Sequence, residues 1–87
     1  MNETNAITLR KIIEHEIAGE WHVWAERHPN MARVIDQYHL VHIVCNELSE
    51  NEEVEQLLRD AAIDEATLMK VVKLSRFISE KIKQLIP

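Results

Sequence analysis

A chain of 87 residues with 46% hydrophobic and 29% charged residues, one Gly and two Pro, has the composition of one folded domain rich in helix formers, which excludes a disordered tail. Its formal charge of −5 is unevenly spread: residues 1–64 hold five Lys/Arg against thirteen Asp/Glu, net −8, and residues 65–87 hold five against two, net +3. The acidic majority disfavours a nucleic-acid role, which needs a clustered basic footprint. No apolar run approaches the roughly 18 residues of a membrane span, and the single cysteine, Cys45, allows no intramolecular disulfide. A cytoplasmic protein with no membrane partner is the default expectation, and at this size only about 60–65% of the unfolded surface can be buried, so stability should be modest.

The first expected helix runs from Thr4 or Asn5 to Arg27, capped by Asn5 or Thr8, with Leu9, Ile12, Ile13, Ile17, Trp21 and Trp24 as its apolar stripe. Pro29 stops it by disfavouring helical geometry at His28, and Asn30 suits the next cap. The second expected helix extends without a break from Met31 to Leu48, with Met31, Val34, Ile35, Tyr38, Val41, His42 and Cys45 on one face. The polar stretch "SENEE" at 49–53 offers Ser49 or Asn51 as the cap of a short third helix from Glu52 to Ala62, which buries Val54, Leu57, Leu58 and Ala61. Asp64 caps a fourth, from Glu65 to Leu85, with the stripe Leu68, Val71, Val72, Ser75, Ile78, Ile82 and Leu85. Short connections favour antiparallel neighbours, so the expected fold is all-α: a single domain over residues 1–87, built as a small antiparallel bundle of four helices, the third too short to span it.

Some apolar residues do not fit this scheme. Leu40, Ile43 and Val44 fall opposite the main stripe of the second helix, and Phe77 falls among the basic residues of the fourth. A helix that is apolar on two sides is buried on two sides, and four helices of this length leave little material to cover both. These positions are therefore candidates for an interface with a second copy or another protein, joined by Trp21 as an aromatic anchor. Lys70, Lys73, Arg76, Lys81 and Lys83 spread over about 160° of the last helix at 100° per residue, as a solvated face would.

Glu16 and Glu20 interrupt the apolar stripe of the first helix: Glu20 lies near its centre and Glu16 about 40° to one side. If the first two helices pair as a hairpin turning at Pro29 and Asn30, facing residues have numbers summing to about 59, which sets Glu20 against His39 and Glu16 against His42. A buried carboxylate without a partner would take up a proton, so acceptors opposite donors are physically coherent. The pairs could be structural hydrogen bonds or proton-sensing contacts. Glu16, Glu20, His39 and His42 could also converge on Zn²⁺ or Fe²⁺, although the Glu-x-x-His repeat of di-metal bundles is absent.

Gly19 is the only glycine, so there is no phosphate-cradling loop, and neither zinc-finger spacing nor a nucleophile motif is present. The expected function is non-enzymatic: a small acidic helical protein acting through protein–protein interaction, in an accessory, regulatory or inhibitor role, as a homodimer and without a cofactor. The alternative is a Zn- or Fe-binding protein using the Glu/His set.

Overall fold

Asn2 stands in extended geometry and accepts a 2.7 Å hydrogen bond from the Asn5 amide through its side chain. It thereby satisfies one of the orphan donors at the start of α1 (Glu3–Arg27). This geometry comes from a computed structural model that describes residues 2–63 and 68–87. At 1.5 Å per residue α1 is about 37 Å long, against 42 Å for the whole molecule, so it forms the spine on which the other helices pack. Its buried residues are Asn5, Leu9, Ile13, Ile17 and Trp24, close to the stripe its periodicity predicts.

Pro29 ends α1 as expected, with His28 left at φ −128°, ψ 64°. Proline is then used as the first residue of the next helix, where its missing N–H costs nothing. That helix, α2 (Pro29–Val34), is only six residues long.

The expected continuous helix from Met31 to Leu48 is broken. Ile35 is extended (φ −128°, ψ 142°), and Asp36 caps a new helix, α3 (Gln37–Ser49), by accepting from the His39 amide at 2.7 Å. A short acidic side chain that can bond its own backbone competes with helix continuation, and here it starts a new helix. The break resets the helical phase. The interior side of α3 is Leu40, Val41, Val44 and Leu48, while Val34 and Tyr38, expected on the buried stripe, are 79% and 71% exposed.

Asn51, the second of the two expected caps, accepts from the Val54 amide at the start of α4 (Glu52–Ile63). Val54 and Leu58 are buried as the pattern predicts, and Leu57, expected to be buried with them, is half-buried. The expected cap at Asp64 lies outside the described residues, as does the burial of Ala61, Leu68, Val71 and Val72. The last helix, α5 (Leu68–Leu85), buries Leu74 and, just past its end, Ile86; Ile78 and Ile82 are buried as expected, and Leu85 is largely exposed.

The described residues form an all-helical fold of five helices around one core. α1 packs most extensively on α3 and also touches α2, α4 and α5; α4 packs on α3 and α5. The carboxyl end of α5 meets the carboxyl end of α1, where the His28 Nε2 lies 2.7 Å from the Pro87 main-chain oxygen. Strict alternation of four antiparallel helices would instead bring the end of the last to the start of the first.

Candidate functional site

The hairpin register determines which residues meet across α1 and α3. Ala18 and Gln37, Glu14 and Val41, and Arg10 and Cys45 line common depressions between the two helices, and the numbers of each pair sum to 55. The expected sum of 59 placed the turn at Pro29 and Asn30. In place of one tight turn, α2 and the extended Ile35–Asp36 pair lie between α1 and α3, so the register of these two helices is left to packing and sits four lower in the sum.

Glu16 and Glu20 are half-buried, whereas His39 and His42 are exposed. At 100° per residue, both imidazoles point about 150° away from the middle of the arc formed by Leu40, Val41, Val44 and Leu48. No hydrogen bond or ion pair joins either glutamate to either histidine among the described residues. Partial solvation relieves the carboxylates of the need for a partner. No group of three or more His, Cys, Asp or Glu side chains among the described residues is placed to hold a metal ion.

The expected interface residues do not share one open face. Leu40 and Val44 are 2% and 1% exposed and form the inner side of α3. Trp21 and Phe77 are half-buried against the core, Phe77 with the Lys81 ammonium 5.3 Å from its ring centre. Only Ile43 is open, at 42%.

A different face is exposed. The side of the α1–α3 hairpin turned away from the core carries Ile7, Lys11, Glu14 and Ala18 of α1, all exposed, at steps of four, three and four residues. That spacing makes a second helical seam, which half-buried Trp21 and Ala25 continue. Opposite, α3 contributes exposed Tyr38, buried Val41 and half-buried Cys45. Arg10 crosses the groove between the two helices: its Nε donates to Glu14 Oε1 at 3.0 Å while its guanidinium lies 5.3 Å from the centre of the Tyr38 ring. It thereby holds Tyr38 in place by a cation–π contact and separates two depressions. One is floored by Ala18 and Val41 and walled by Tyr38; the other lies between Ala6, Ile7, Cys45 and Ser49. Burial pushes the Cys45 thiol up from its ordinary range, with the Arg10 charge opposing in part.

Sequence periodicity does not disclose this face, because it groups Tyr38 with the core stripe of an unbroken helix and Lys11 with the solvent side of α1. The 4-3-4 recurrence of Ile7, Lys11, Glu14 and Ala18 is the available signal. No helix among the described residues is long and apolar enough to cross a membrane. Comparison with family models, with curated proteins and with solved structures gives no match to this chain.

Proposed function

We propose that this protein works by binding another protein chain, in a non-enzymatic accessory or regulatory role, through the outer face of the α1–α3 hairpin. The observation that carries the reading is Tyr38, 71% exposed and held over the groove by Arg10, lining one depression with the open methyl of Ala18, while Ile7, 50% exposed, lines the neighbouring one. Aromatic residues fixed in place beside a small apolar depression, with charges around them, are what protein recognition sites use as anchors. Exposed and outside the core, these side chains are available to a partner.

The test uses a photo-crosslinking residue placed at Tyr38 and, as control, at Glu53 on α4, in the cells that make the protein. One discrete adduct from position 38, absent from position 53 and lost when Ala18→Arg fills the depression, is the expected result. No adduct at 38, or equal adducts at both positions, refutes the reading.

A further inference from the structure

The outer α1–α3 face has a self-complementary order of size and charge. Along α1 the exposed seam reads large apolar, basic, acidic, small apolar: Ile7, Lys11, Glu14, Ala18. Reversed in direction, the same four positions read small, acidic, basic, large. Two such helices laid antiparallel, with facing numbers summing to 25, set each Ile7 over the partner's Ala18 and each Lys11 against the partner's Glu14. Shifting the register by one heptad destroys both matches, since Glu14 then faces Ala18 and Lys11 faces Trp21.

We propose, resting on the reading above, that the chain this face binds is a second copy of itself, related by a twofold axis crossing α1 between Ile12 and Ile13. An isologous contact of this kind needs one patch that complements itself under rotation. Three features of the structure supply it. Ile7 is a half-exposed knob. The depression floored by Ala18 and Val41 and walled by Tyr38 is a hole, in the manner of knobs-into-holes packing between antiparallel helices. Lys11 carries no hydrogen bond or ion pair among the described residues, and the second copy brings Glu14 to it. Glu14 already accepts from Arg10 of its own chain, so the dimer places one run of alternating charge, Arg10, Glu14 and the second copy's lysine, on each side of the axis. The apposed stretch of α1 from Ile7 to Ala18 is about 17 Å long, short of what gives the usual roughly 800 Å² per partner. The dimer therefore forms with a concentration-dependent, weak affinity.

Sedimentation equilibrium of the full chain from low micromolar to millimolar concentration tests the proposal, with circular dichroism confirming unchanged helicity of every variant. The wild type should rise from 10.2 kDa toward twice that mass. Lys11→Glu and Glu14→Lys each place two like-charge pairs across the axis, and each alone should weaken association by about tenfold or more. Their equimolar mixture should restore it, because every contact between position 11 of one chain and position 14 of the other then joins an acidic to a basic side chain. Ala18→Arg should leave a monomer. A wild type that stays monomeric at millimolar concentration, a dimer indifferent to Ala18→Arg, or a mixture no tighter than either variant alone overturns the proposal. If the wild type is monomeric while the Tyr38 crosslinker captures a different chain in an Ala18-dependent way, the interaction reading stands and only the second copy falls.

Discussion

Replacing Asp36 with Ala distinguishes the broken hairpin arm from an unbroken one by the sign of its effect. In the structure, the Asp36 side chain accepts from the His39 amide at 2.7 Å at the start of α3. Removing such a cap costs about 1 kcal/mol, within a range of about 0.5–2. For a domain of this size each kcal/mol moves Tm by about 4–8 °C, so Asp36→Ala should melt about 4–8 °C lower. Were residues 31–48 one helix, Asp36 would sit in its interior, where Ala is the better helix former by up to about 0.7 kcal/mol, and the same variant would melt several degrees higher. Thermal unfolding followed by far-UV circular dichroism reads the difference. Asp36→Asn keeps an acceptor at the cap and should stay within a few tenths of a kcal/mol of the parent. A rise in Tm for Asp36→Ala, or an equal loss for Asp36→Asn, would refute the assignment of a cap at this position.

The reset phase of α3 gives a second contrast: Leu40→Ala should lose about 2–5 kcal/mol in urea unfolding and Ile43→Ala less than about 1 kcal/mol, and equal losses would place the break wrongly. His28→Ala removes the donor to the Pro87 oxygen and should cost about 0.5–1.5 kcal/mol; hydrogen exchange should show faster exchange at the Ile82 to Ile86 end of α5, and unchanged protection there would count against the contact. Because burial favours the neutral Cys45 thiol, a thiol reagent should modify the folded protein at neutral pH far more slowly than the unfolded chain, and equal rates would contradict the burial. The same preference makes the Cys45 contribution to stability complete below the ordinary thiol pKa and lost as pH rises from there through the raised pKa of the folded state. Zn²⁺ or Fe²⁺ should leave Tm unmoved in the wild type and in His42→Ala, as both imidazoles of α3 face outward; a rise abolished by His42→Ala would reinstate a Glu/His metal site.

What the sequence by itself determined is the set of helices whose signals are local. α1 is readable because Leu9, Ile13, Ile17 and Trp24 recur at helical spacing over many turns and Pro29 ends the run by sterics alone. Asn51 and the Val54–Leu58 pair are likewise readable, since a cap and a buried stripe are properties of a few adjacent residues. The break at Ile35 and Asp36 is present in the sequence as a possible cap, yet periodicity on both sides bridges it. Local chemistry leaves helix continuation and a new start close in free energy, and burial of Leu40, Val44 and Leu48 against α1 favours the second.

From that one decision the rest follows at long range. With α2 and the Ile35–Asp36 break between α1 and α3, no tight turn fixes their register, and the new phase of α3 carried His39 and His42 outward and Leu40 and Val44 inward. The Glu/His ladder, the leftover apolar face of α3 and the exposed seam of Ile7, Ala18 and Tyr38 all depended on a register no single helix encodes. Only packing decided it, because helix–helix register is set by interdigitation of side chains far apart in the chain, whereas a cap or a proline acts within one turn.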